Sequence, residues 1–117
     1  MNSFNFLLLL ACVTLLSLGQ LLFKLASDSF PSVISPGSLL SFAFNKYLLS
    51  ALVIYGFATF LWVWALSKMP LSLAYPFMAL AFIIVPILSY FALDEPLSTS
   101  SLIGGCIIVA GLAIAVN

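Results

Sequence analysis

The sequence has no histidine and no arginine, and only six of its 117 residues are charged: Lys24, Lys46, Lys68, Asp28, Asp94 and Glu95. Without histidine, the commonest general base and metal ligand at neutral pH is missing. Neither a Cys–His nor a Ser–His pair exists, and two isolated cysteines do not make a zinc set. A soluble domain carries about 25% charged residues. Here the share is 5%, with 65% hydrophobic residues and a mean hydropathy of +1.34. These absences exclude an ordinary soluble enzyme. They also exclude a nucleic-acid binder, which needs a basic footprint. What is left is an integral membrane protein with no visible catalytic residue, metal set or cofactor motif.

What the chain does have is long apolar runs. A transmembrane helix takes about 20 apolar residues, so the chain has room for four and for no separate soluble domain. The expected spans are about 4–26, 47–66, 71–93 and 101–116, in one domain covering 1–117. Lipid leaves no partner for free backbone groups, and barrel strands would be shorter and would alternate. The expected fold class is therefore all-α integral membrane, a bundle of four transmembrane helices. The first run is not expected to be a cleaved leader. No Lys or Arg stands in residues 1–6, and the apolar stretch 6–23 exceeds the usual 7–15 residues or so.

Between the runs, residues 27–38 (SDSFPSVISPGS) are rich in Ser and Pro and read as a loop. Residues 39–44 (LLSFAF) are too short to span; they either lie in the interface or begin the second span. Trp62 and Trp64 beside Lys68 read as an aromatic belt with a snorkelling lysine. Pro96 suits the start of the fourth helix. Pro76 and Pro86 fall inside the third span, and each removes a backbone hydrogen bond and is expected to kink it. Lys24 and Lys46 face one side and Lys68 the other, so the positive-inside rule gives almost no orientation. Cys12 and Cys106 lie in apolar runs and read as small fillers.

The polar residues inside the spans are few and patterned. Val13, Ser17, Gln20 and Lys24 follow at steps of four, three and four, which is one helical stripe. A mid-bilayer lysine costs about 2.5–3.5 kcal/mol on insertion scales. The stripe is therefore either interhelical glue ending in a snorkelling lysine, or one wall of a groove for an anionic head group. In the second reading Lys24 supplies the counter-charge, and Lys46, Tyr75 and Glu95 are candidate neighbours. Asp94 and Glu95 alternatively sit near the positive dipole end of the fourth helix and cap it. Gly104, Gly105, Gly111 and Ala115 form a small-residue seam on the last span, suited to helix packing within the chain or to a dimer interface.

Three motifs stand in order. They are Gly19-Gln20-Leu21-Leu22-Phe23-Lys24, Ala74-Tyr75-Pro76 and Glu95-Pro96-Leu97-Ser98. With this length, the chain resembles the drug/metabolite transporter superfamily in its four-helix, small multidrug resistance-like form (EamA-like). Within it, the chain is most similar to the subunits of the aminoarabinose-phosphoundecaprenol flippase. The small multidrug proteins carry a membrane-embedded glutamate in their first helix. The aligned position here is Leu16, and no acid lies inside any expected span.

The resemblance implies a transporter and not an enzyme. Its cargo would be a polyprenyl-phosphate-linked sugar or similar anionic lipid, and its place the bacterial inner membrane. It also implies a homodimer or a heterodimer with a related four-helix subunit. Two other classes stay open. One is a proton-coupled exporter of cationic drugs or metabolites; the other is an accessory subunit of a glycosyltransferase system that transports nothing.

Overall fold

The computed structural model describes residues 3–117. The elements in chain order are α1 (Ser3–Ser27), α2 (Pro36–Ala43), α3 (Lys46–Leu66), α4 (Leu71–Ala74), a 3-10 helix (Tyr75–Leu80), α5 (Ala81–Leu93) and α6 (Thr99–Ala115). No strand occurs among the described residues. The fold is all-α. α1, α3 and the composite rod Leu71–Leu93 are long and apolar enough to cross a membrane, and α6 is a shorter apolar helix of 17 residues. At 1.5 Å per residue α6 reaches about 25 Å, near the lower limit for a span. The fold is a four-helix membrane bundle.

Caps set the helix boundaries. Ser35 and Ser38 form a capping box that starts α2, with Pro36 in its first turn. Residues 39–44 are therefore mostly part of a separate short helix and not the start of the next span. Asn45 then starts α3, its side chain accepting from the backbone N–H groups of Tyr47 and Leu48 at 2.9 and 3.2 Å. α6 starts at Thr99 because the Ser98 hydroxyl accepts from Ser101 N–H at 3.1 Å. The cap is thus a serine and not the carboxylates of Asp94 and Glu95. Pro96 stays outside the helix, two residues before the cap.

α1 sits at the centre, against α3 on one side and the rod of α4, the 3-10 helix and α5 on the other; α6 packs outside on the 3-10 helix and α5. The α1–α3 contact joins two seams of small residues. Cys12, Gly19 and Ala26 are buried on α1, and Ala51, Ala58 and Ala65 are buried on α3. Both repeat every seven residues, the period of a shallow left-handed crossing. Small side chains let the two backbones approach, and close packing drives helix association where lipid removes the hydrophobic incentive. The contact is near enough for the Cys12 thiol to donate to the Ala58 carbonyl at 3.4 Å.

The two prolines of the third rod behave differently. At Pro76 the α-helix gives way to the 3-10 segment. At Pro86 the helix α5 runs on without interruption. Pro86 has no N–H to return to the Phe82 carbonyl. That carbonyl faces Gly105 of α6, where an added Cβ would lie 3.5 Å from it. Gly105 is thus used inside the chain, at close approach between α5 and α6, and not in an outer seam.

Candidate functional site

The register of α1 against the third rod decides which polar residues meet. Phe6 lies edge-on to Phe77 with ring centroids 5.8 Å apart. Further along, Ser17, Gln20, Leu21 and Lys24 share a cavity with Val85, Leu88, Ser89 and Leu93. α1 and α5 therefore run parallel here, each presenting one stripe at helical spacing. Glu95 closes the end of the cavity. Its volume is about 240 Å³, below the roughly 300–1,000 Å³ typical of drug-sized ligand sites. That is room for a head group and not for a lipid tail.

Each wall residue is held by local structure. Ser17 is 1% exposed, and its hydroxyl donates to the Val13 carbonyl at 2.8 Å. The hydrogen is spent within α1, and the oxygen's lone pairs remain on the cavity side. Gln20 donates through its amide nitrogen to the Tyr55 hydroxyl, which leaves the amide oxygen uncommitted. Tyr55 is the residue that the sequence pattern missed. Its ring packs on Phe23 with centroids 5.1 Å apart and lies across the bare backbone of Gly19. The Gly19-Gln20 pair thus works as a seat for Tyr55, one residue making room for the ring and the other binding its hydroxyl.

Glu95 reaches the cavity through a tight turn. Asp94 ends α5 with φ 55°, in the left-handed region. The Asp94 and Glu95 N–H groups then both donate to the Ser89 carbonyl, the second at 3.3 Å. The chain doubles back, and Glu95 comes over Ser89 opposite Lys24. Both Lys24 and Glu95 are exposed at this end of the bundle.

The other expected neighbours are elsewhere. Tyr75 belongs to the opposite end. Phe77, two residues on, is level with Phe6, and Lys24 stands about 27 Å further along α1 at 1.5 Å per residue. Tyr75 therefore cannot line one groove with Lys24. Lys46 is at the same end as Lys24, yet its ammonium lies 5.1 Å from the ring centroid of its own neighbour Tyr47, and it does not line the cavity. At the opposite end Lys68 lies over Phe4 and Trp64, 5.6 and 6.0 Å from the ring centroids. This is a cation–π cluster and matches the belt expected there. Trp62 instead packs on the apolar core. Gly104 and Gly111 would each admit a Cβ with nothing within 4 Å. Gly111 and Ala115 are exposed on α6.

Comparison with known proteins gives a consistent answer. The model of the EamA-like transporter family matches residues 1–117. The chain is 32% identical over 111 residues to a probable 4-amino-4-deoxy-L-arabinose-phosphoundecaprenol flippase subunit ArnE of Pseudomonas fluorescens (strain Pf0-1), covering 92% of each chain. It is 34% identical over 107 residues to the protein of the same description from Aeromonas salmonicida (strain A449), covering 91% of each. No solved structure matches the chain.

Proposed function

The chain belongs to the EamA-like transporter family, and we propose that it acts there as a flippase subunit for a polyprenyl-phosphate-linked sugar or similar anionic glycolipid. It is a multi-pass protein of the bacterial inner membrane. One observation carries the substrate reading. Ser17, Gln20 and Lys24 line a single cavity at one end of the bundle. A lysine there offers an ammonium to a phosphate, an amide and a hydroxyl lie beside it, and the small volume suits a head group whose tail stays in lipid. The helix stripe and the relatives' described substrate, a phosphoundecaprenol-linked sugar, support the same chemistry.

The role is transport and not catalysis in this reading. The relatives are described as subunits, which supports assembly with a second four-helix chain, as homodimer or heterodimer. We place that contact on the outer face of α6 at Gly111 and Ala115, both exposed to solvent or lipid. The test is flipping of a fluorescent polyprenyl-phosphate sugar in vesicles holding the purified protein, alone and with a co-expressed related subunit. Lys24→Met, at an exposed position that leaves the fold intact, is expected to lower the rate at least tenfold. Proton-coupled uptake of cationic drugs by the same vesicles, with unchanged lipid movement in Lys24→Met, would overturn the reading.

A further inference from the structure

The short helix between α1 and α3 is two-faced. At about 100° per residue, Leu39, Leu40, Ala43 and Phe44 fall on one arc of α2 and its cap, and Gly37 and Ser41 fall on the other. The apolar arc is bare: Leu40 is 63% exposed and Phe44 70%. Phe42 turns instead onto Phe30 of the preceding loop, with ring centroids 5.2 Å apart. The backbone at both ends is bonded locally. Ser35 and Ser38 close the start, and at the finish the Phe44 N–H donates to the Ser41 carbonyl at 3.2 Å and the Asn45 N–H to the Phe42 carbonyl at 2.9 Å. A helix at the edge of hydrocarbon needs such closure.

Depth decides what covers the bare arc. α3 has 21 residues and rises about 31 Å, close to the roughly 30 Å of a hydrocarbon core. Its first residue, Lys46, therefore stands at the hydrocarbon boundary, and only Phe44 and Asn45 separate it from α2. We infer that α2 binds the lipid surface, lying in the membrane interface with Leu39, Leu40 and Phe44 in the outer hydrocarbon and Gly37 and Ser41 toward water. Interfacial helices usually carry Lys or Arg on their polar face. Here no charged residue stands from Ser29 to Asn45, so α2 is seated by apolar burial and not by attraction to anionic head groups. It lies in the leaflet of the cavity's mouth, because Lys24 near the end of α1 and Lys46 at the start of α3 share one end of the bundle. This seating does not depend on the cargo.

Nitroxide side chains on single cysteines, Leu40→Cys, Ser41→Cys and Phe44→Cys among them, test it in the full chain reconstituted into phosphatidylcholine vesicles. Cys106→Ser removes the exposed thiol, and Cys12 stays in its buried place. Relaxation by oxygen, which concentrates in lipid, and by a water-soluble nickel chelate reads the surroundings of each label. The oxygen-to-nickel ratio at Leu40 is expected to exceed that at Ser41 by about fivefold or more. Adding phosphatidylglycerol is expected to leave both values unchanged, because the segment offers no cation to it. With Leu39→Ser and Leu40→Ser together, the ratio at Phe44 is expected to fall by about threefold or more as the helix loses its hold. Shielding of Leu40 and Phe44 from both reagents would put protein over the arc and overturn the inference. Equal nickel access at Leu40 and Ser41 would put the helix in water and overturn it too. A ratio that rises with phosphatidylglycerol, or one at Phe44 that ignores the double serine variant, would overturn the seating by apolar burial.

Discussion

Gly19→Ala adds one methyl group at the place where α1 and α3 come closest around an aromatic ring. A Cβ built on Gly19 would lie 2.5 Å from Tyr55 Cδ2 and nearer still to Cε2. Ordinary carbon contacts need about 3.5–4.0 Å, so the ring must retreat by an ångström or more. It is blocked by Phe23, whose ring centroid lies 5.1 Å away, and tethered by Gln20 through its hydroxyl. Overpacking of this kind costs about 1–3 kcal/mol. Losing an interhelical hydrogen bond in a membrane protein adds about 0.6 kcal/mol. Alanine's better helix propensity, about 1 kcal/mol in water, hardly enters, because separated helices in lipid stay helical. The expected loss is about 1.5–3.5 kcal/mol, read by reversible unfolding in mixed micelles. Tyr55→Ala removes the obstacle, and in that background Gly19→Ala is expected to fall within about 0.5 kcal/mol of neutral. Gly56→Ala, with nothing within 4 Å of its Cβ, is the control and should also be near neutral. Equal effects of Gly19→Ala with and without the Tyr55 ring would refute the seat described for Tyr55.

Two smaller perturbations test the devices around the site. Asp94→Gly relieves a left-handed backbone at φ 55° and is expected to stabilise the chain by about 0.5–1 kcal/mol; a loss in the same unfolding assay would mean that the Asp94 side chain supports the turn. Gly105→Ala meets only the flexible tip of Ile83 at 2.6 Å and the Phe82 carbonyl at 3.5 Å. It is expected to cost under about 1 kcal/mol, whereas Gly105→Leu, which must displace α6 from α5, is expected to cost at least 2 kcal/mol more.

The fold was legible because each apolar run is long, and lipid admits only helices for such a run. The wall formed by Ser17, Gln20 and Lys24 was legible for the same reason: polar residues are expensive in lipid, so their spacing reports a face. Glu95 was found through a motif, although its path to the cavity depends on the Asp94 turn, which no residue type announced. Tyr55 was missed because a tyrosine in an aromatic-rich helix reads as one more apolar side chain. Its partners, Gly19 and Gln20, lie 36 and 35 residues away along the chain. The seven-residue seams of Cys12, Gly19 and Ala26 and of Ala51, Ala58 and Ala65 were present in the sequence. They were overlooked in favour of the glycines of α6, where one of the four residues, Gly105, proved to pack inward. Tyr75 was misplaced because depth along a helix was not compared between rods; counting residues from Phe6 and from Phe77 separates it from Lys24 at once.

In the proposed function, the position of the cavity also constrains how a head group crosses. Its charged mouth is at the end where α1 finishes. The opposite half of the contact between α1 and the third rod is filled by the core cluster of Leu8, Leu9, Val13, Ala74 and Phe77, with Leu112 of α6, and Cys12 and Ala58 are sealed against each other beside it. A polar head group entering at Lys24 therefore meets a dry apolar plug, in which each unpaired polar group would cost several kcal/mol. The plug has to part for passage. Its seam with α3 is made of small residues at a fixed period. Its seam with the third rod is made by the segment Tyr75–Leu80, wound as a 3-10 helix behind Pro76, with weaker hydrogen bonds than an α-helix. In the proposed function, a path that opens on the rod side would keep the α1–α3 pair, and with it the Tyr55 seat behind Gln20, intact.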